Sequence, residues 1–594
     1  MPSQAPRASS RSPLLRVLLV FALVGGLALV ISLALLVALG SGGGVKKGSV
    51  LVVDFSAPLT EAGGAPTPLA ALMGGAPHPL PAHEAASALR AAKDDDRISA
   101  VLLRGGFQGG IGALDQVRDA VLALTAAGKP TFAAPGSADE RTLWMCSAAR
   151  EIWLEPLGGV EFDGWVAEIP YFADALQRVG IEVQVTRVGK YKSAVEPFLL
   201  ERMSAENREQ LDAILAAIES KVLGDIASAR GLDVANLRAW TREEGWFTAK
   251  RALEAGLVTH TGSQSDLIAS LRRSAGIEAG EPLPQVDLVD YARDMRTEPG
   301  GGAGIVVLVA EGEIVDGSSI DGIGADDLAR ELRAAREDDD VHAVVLRVDS
   351  PGGSATASDV IRAEVLALKA AGKPVVVSMG TLAASGGYWI SADADAIVAQ
   401  PETLTGSIGV FGMLPNAQAL AESHGVRTEQ VRTSPLSGIG SMLVAKDEAQ
   451  MALVQAIVDD VYERFLDLVA AGRGMERDTV HAIAQGRVWS GAKAQELGLV
   501  DELGGLARAI EIGLERAGLP ADAPVRFARE EPEWFEEVLV EMLREEPGDL
   551  TRMVAQTRRA LGPLVEAGVL LERFERLAGP RRVVARLPFN FVLR

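Results

Sequence analysis

The chain is written twice. Ala88-Leu-Arg-Ala-Ala-Lys-Asp-Asp-Asp-Arg-Ile-Ser-Ala-Val-Leu-Leu-Arg104 returns, with conservative changes, as residues 331–347, 243 positions later. Residues 121–130 return as 365–374 and residues 246–258 as 489–500, at shifts of 244 and about 243. A period this long is no solenoid unit, and 594 residues comfortably hold two duplicated domains. Within each copy, β-branched apolar runs alternate with helical patterns, such as strand 100–103, helix 114–127 and strand 130–134. That order predicts βαβ units and an α/β fold whose sheets have substantial parallel content. Ser204 is placed to cap a helix running to about Gly231.

The boundaries follow from composition. Residues 1–48 hold Arg7, Arg11 and Arg16, an uncharged aliphatic run from Val17 to Gly40, and a Ser41-Gly-Gly-Gly44 stalk. A run of about 24 residues is long enough to cross a bilayer and exceeds the apolar core of a cleaved signal peptide, so an uncleaved N-terminal transmembrane helix is expected. Arginines before it place the N-terminus inside and the body outside. The first copy is taken as 49–298 and the second as 299–519, divided at Glu298-Pro-Gly-Gly-Gly-Ala-Gly304. Residues 520–594 are read as a helical extension unpaired with anything upstream, amphipathic around 533–544 and with a basic stretch at 581–586 suited to lipid headgroups or to solvent. Residues 56–83, rich in Pro, Ala and Gly, read as a long surface loop.

The two copies differ where chemistry would be. The run Pro374-Val-Val-Val-Ser-Met-Gly380 leads into Thr381-Leu-Ala-Ala-Ser-Gly-Gly-Tyr-Trp389, a strand entering a small-residue turn and a helix. A serine at such a turn projects from the backbone, and the N–H groups of the new helix face any oxyanion formed there. Ser385 is therefore the candidate nucleophile. The first copy has Arg141 at the matching place, but it holds Lys192 where the second has Ser437. One copy thus offers a nucleophile and the other a base. Lys192 must be desolvated to be neutral, and Ser407, in Thr403-Leu-Thr-Gly-Ser-Ile-Gly-Val410, is the hydroxyl available to orient it. The turn Ser350-Pro-Gly-Gly-Ser354 ends the preceding strand, so Gly353 and Gly386 are the candidate oxyanion donors. A Ser-His-Asp triad would draw on His424 or His481 with Asp393 or Asp395. The first histidine sits at a helix end, where the dipole accounts for it, and the second on a polar helix.

A net charge of −22 argues against a nucleic-acid partner. One cysteine and six histidines without metal spacing leave no expected metal or cofactor.

The segments Ser350-Pro-Gly-Gly, Ala384-Ser-Gly-Gly-Tyr388, Thr405-Gly-Ser-Ile-Gly-Val410 and Gly189-Lys-Tyr-Lys-Ser-Ala-Val-Glu-Pro197 together resemble the signal peptide peptidase A family in its long tandem form, over residues 45 to 520. The resemblance implies two ClpP/crotonase-like repeats and a Ser/Lys-dyad serine protease, with Ser385 as nucleophile, Lys192 as base, Ser407 positioning the lysine, and Gly353 and Gly386 holding the oxyanion. It further implies remnant signal peptides and other apolar peptides as substrates, single-pass anchorage in the bacterial inner membrane with the body in the periplasm, and a homotetramer. Two other classes share the fold or its scaffold: a crotonase-like acyl-CoA enzyme and a non-catalytic membrane scaffold.

Overall fold

The computed structural model describes residues 45–54, 59–62, 80–278, 281–295, 302–319, 322–528 and 583–586. The expected transmembrane run 17–40, the division at 298–301 and the amphipathic stretch 533–544 lie outside them. Among the described residues no helix is long and apolar enough to cross a membrane.

Each copy builds a parallel sheet of the same order. In the first, His260–Thr261, Glu151–Leu154, Thr131–Gly136, Ile98–Arg104, Ser49–Asp54 and Gln285–Asp287 lie side by side, every neighbouring pair parallel. In the second, Glu502–Leu503, Ala396–Ala399, Val375–Ala384, Val341–Ser350, Gly304–Glu311 and Val525–Phe527 repeat that order. The second sheet is buried on both faces. Val306, Leu308, Val344, Leu346 and Val377 face one core, while Ile305, Val307, Val345 and Val376 face Leu506, Ala509 and Ile512 of the helix Leu506–Ala517. That double burial is why these strands read as unbroken apolar runs.

Helix Ala205–Arg230 runs from a Ser204 cap, whose side chain accepts the Asn207 N–H, to a left-handed Gly231, as its sequence predicts.

Three expectations need correction. Residues 56–83 are not all surface loop: Leu59, Glu61 and Leu80 are buried, and a helix begins at Ala82. The cause is a charge, since Glu61 answers Arg347 in the interior of the second copy at 2.6 Å. The second copy does not stop at 519, because Val525–Phe527 pairs with Ile305–Val307 as Gln285–Asp287 pairs with Val50–Val52 in the first copy. The extension is not solely helical or unpaired: Val583–Arg586 is a strand inside a sheet.

That sheet joins the copies. Its order is Ile323–Gly324, Ile314–Val315, Gly352–Ser354, Val583–Arg586, Val410–Asn416 and Glu182–Val188. The last strand belongs to the first copy. It pairs antiparallel with Val410–Asn416 over seven residues, from Val188 opposite Val410 to Glu182 opposite Asn416.

Candidate active site

This strand pairing sets the site. Glu182–Val188 leads directly into the turn bearing Lys192, and Val410–Asn416 directly follows Ser407, so placing Val188 opposite Val410 brings the two turns together. Tyr191 N–H donates to Gln485 O at 3.0 Å, which closes the lysine turn on the second copy.

Lys192 is fully buried. Its Nζ lies 2.8 Å from Ser385 Oγ, 3.0 Å from Ser407 O and 3.0 Å from Ser407 Oγ. Burial holds its amine well below the ordinary lysine range of 10.5, with no carboxylate opposing the shift. Glycines make the passage for its side chain. A β-carbon on Gly486, which has φ +76°, would fall 2.6 Å from Lys192 Cβ, and one on Gly409 would fall 3.3 Å from Lys192 Cδ.

Ser385 ends the strand Val375–Ala384 and precedes the short helix Gly386–Trp389. It has φ 59° and ψ −114°, a conformation costly for a residue with a side chain, of order 1–3 kcal/mol. Two bonds hold it there: Ser385 N–H donates to Gly406 O, and Trp389 N–H donates to Ser385 O, each at 2.8 Å. Ser407 also has a positive φ, 51°, and its N–H donates to Arg487 O at 2.7 Å. Gly386 tolerates no side chain, since a β-carbon there would lie 2.7 Å from Ser358 Oγ and 3.1 Å from Gly353 N. The two N–H-bearing glycines singled out from sequence are therefore neighbours beside Ser385.

The histidines and aspartates of a triad stand elsewhere. His424 caps an exposed helix end and its Nδ1 faces Ser423 and Leu420. His481 Nδ1 is 3.1 Å from Tyr462 Oη. Asp393 binds Arg362, and Asp395 accepts the Val375 N–H. Ser437 and Arg141, the counterparts of Lys192 and Ser385, are not among the partners of either residue.

Several supporting residues carried no sequence signal. Gln210, fully buried on helix Ala205–Arg230, donates to Tyr191 O at 3.2 Å and to Ser193 Oγ at 2.9 Å, and accepts the Val488 N–H at 3.2 Å. Arg487 stacks over Tyr191 and Trp489 and donates to Tyr191 Oη. Asp349, buried beside Glu61 and Glu311, is pushed well above the usual carboxylate range by burial and by those two acids, and accepts the Leu382 N–H at 2.9 Å. A glutamine in a helix, a surface-like arginine and one aspartate among many give no pattern. Only the Gln485-Gly-Arg-Val-Trp-Ser490 run, glycine amid larger residues, hints at a close approach.

The sequence pattern of peptidase family S49 matches residues 123–278 and again 367–519. The chain is 37% identical over 501 residues to Protease 4 of Salmonella typhi, covering 81% of this chain and 79% of that one. It is 32% identical over 446 residues to a chloroplastic serine protease SPPA of Arabidopsis thaliana, covering 73% of this chain and 65% of that one. Among solved structures, ClpP1 from Listeria monocytogenes aligns with 34% of this chain and 91% of its own at 16% identity and a TM-score of 0.21.

Proposed function

The chain belongs to peptidase family S49 and is a serine protease, and we propose that it works through a Ser385/Lys192 dyad split between its two repeats. The observation that carries this reading is the 2.8 Å approach of Lys192 Nζ to Ser385 Oγ inside a fully buried site. A neutral amine has two hydrogens and one lone pair, and Lys192 has three partners. The hydrogens serve Ser407 O and Ser407 Oγ, which leaves the lone pair facing Ser385. Lys192 takes the serine proton as Oγ attacks the scissile carbonyl, then delivers it to the leaving nitrogen. The N–H groups of Gly353 and Gly386 receive the oxyanion; losing one such donor typically costs roughly 10²–10³ in rate. Water, deprotonated by the same amine, completes hydrolysis.

The substrate is an extended apolar peptide, with a small or aliphatic residue before the cut. Gly352–Ser354 on one side and Val410–Asn416 on the other frame a place one strand wide next to Ser385, where backbone pairing recognises a peptide with little regard to sequence. Remnant signal peptides are the natural members of that class. Residues 17–40 anchor the protein in the bacterial inner membrane with its body in the periplasm, the repeats are ClpP/crotonase-like, and the assembly is a homotetramer. All four readings follow from the motif resemblance and the apolar run. A fluorophosphonate probe tests the core of the proposal: it should label Ser385 and no other residue, and labelling should end peptide hydrolysis. A chain that hydrolyses peptides without labelling at Ser385 refutes the dyad.

A further inference from the structure

Val375–Ala384, the strand that ends at Ser385, does not run evenly beside Val341–Ser350. Val348 stands opposite Met379 and Ser350 opposite Ala383, so residues 380–382 face Asp349 alone. Such a bulge turns the chain and leaves backbone groups outside the ladder, here just ahead of the nucleophile. The Asp349 side chain fills the gap. Its Oδ1 accepts the Leu382 N–H at 2.9 Å. Gly380 makes room for it, since a β-carbon there would lie 3.0 Å from Asp349 Cβ and 3.1 Å from its Cγ. On its other flank Asp349 leads into the turn that carries Gly353. The Asp349 carbonyl accepts the Gly312 N–H at 2.9 Å, while Ser350 Oγ donates to Gly312 O at 2.7 Å and accepts the Gly352 N–H at 3.1 Å.

The charges around that carboxyl group decide its form. Asp349, Glu61 and Glu311 face the guanidinium of Arg347. Arg347 is already engaged: its Nη2 lies 2.6 Å from Glu61, and its Nη1 donates to Ser378 Oγ and Met379 O. Glu311, opposite Asp349 on the neighbouring strand, accepts the Ala62 N–H at 2.7 Å. Two acids side by side, with the nearby cation taken, keep a proton between them. Burial and the charges of Glu61 and Glu311 raise Asp349 well above the usual carboxylate range, so the proton rests there.

We propose that Asp349 is a positioning residue for the hydrolysis: in its uncharged form it ties the bulge before Ser385 to the turn bearing Gly353, and so sets the nucleophile against the oxyanion donors. This rests on the reading of Ser385 as nucleophile. An uncharged carboxyl group makes the tie without placing a negative charge behind a site where the reaction develops another.

The test compares Asp349→Ala and Asp349→Asn in the full chain, with wild type and Ser385→Ala beside them, by hydrolysis of a fluorogenic apolar peptide and by thermal melts. Asp349→Ala removes the acceptor, and kcat should fall by roughly 10²-fold with KM little changed, the cost of a misplaced reacting group. Asp349→Asn keeps an uncharged acceptor of the same shape and should restore the kcat that alanine loses. The melts read the charge. Above 3.8 the unfolded chain gives up a proton that folded Asp349 keeps, so this residue destabilises the fold increasingly as pH rises towards its folded value. The asparagine variant does not titrate there, and its melting advantage over wild type should widen from about pH 4 to pH 8. The proposal is overturned if Asp349→Ala keeps the wild-type kcat, if Asp349→Asn falls as far as alanine, or if the melting gap stays constant. Should Asp349→Ala not fold, the asparagine kinetics and melts still decide. A Ser385→Ala chain as active as wild type refutes the nucleophile instead, and this proposal with it.

Discussion

Gln210 and Val488 stand 278 residues apart and share a hydrogen bond of 3.2 Å, the backbone N–H of Val488 donating to the side-chain oxygen of Gln210. The same side chain holds the carbonyl of Tyr191, next to Lys192. One glutamine therefore fixes the lysine turn against the strand that lies beside Ser407. Gln210→Leu keeps the volume but leaves the buried Val488 N–H without its acceptor, at a cost of about 1–3 kcal/mol. We expect kcat to fall by at least tenfold with KM little changed, and the unfolding midpoint to drop. Steady-state kinetics and thermal melts read both; an unchanged kcat would show that the clamp is not needed.

Ser385→Ala and Lys192→Ala should each lower kcat/KM by something of the order of 10⁴–10⁶-fold, and the double variant should be no worse than either. Residues that act on one proton lose their function together. Additive losses would mean that the lysine acts elsewhere.

The buried amine fixes the sign of the pH dependence. With Lys192 as the proposed neutral base, activity should rise with pH through its depressed pKa and stay high above it, with the limb well below 10.5. Stability carries the matching signature. Between the folded value and 10.5 the unfolded chain binds a proton that the folded chain does not, so this residue destabilises the fold increasingly as pH falls from 10.5. Lys192→Met, which does not titrate, should melt above wild type at pH 7, and the gap should close as pH approaches 10.5. Melting curves at several pH values suffice; a constant gap would place the amine in its ordinary range.

Arg347 and Glu61 form an ion pair of 2.6 Å with both side chains essentially inaccessible to solvent. Gln116 Nε2 donates to the same carboxylate. Glu61→Ala should cost about 3–5 kcal/mol by leaving a guanidinium buried without its partner. The double variant Glu61→Leu, Arg347→Met should cost less than that single change. Denaturant titration distinguishes them, and a single-variant loss below ~1 kcal/mol would mean that water reaches the site.

Much of this was legible because it is local. The apolar strands, the strand–turn–helix around Ser385 and the capped helix after Ser204 each have a cause within a few residues. The approach of Lys192 to Ser385 was readable for another reason: duplication supplies an internal control, and each copy lacks what the other has. The rest depends on distant partners. Glu61 sits in a stretch whose composition says surface, and only Arg347, at the heart of the other copy, draws it inward. Val525–Phe527 and Val583–Arg586 are too short to announce themselves as strands, and their pairing exists only where a neighbouring edge awaits them. Gln210 owes its role to two backbone groups, which leave no trace in a sequence.

The proposed division of the dyad has a consequence in time. Lys192 precedes Ser385 by 193 residues, which at ordinary rates of synthesis is a delay of roughly 10–40 s. Throughout that interval the proposed base has nothing to activate. When the serine does emerge it is still inert, until Val410–Asn416 has zipped onto a strand completed long before it. On this reading the order of translation serves as a safety catch, and a protease made beside other nascent chains is armed only after both of its halves are finished.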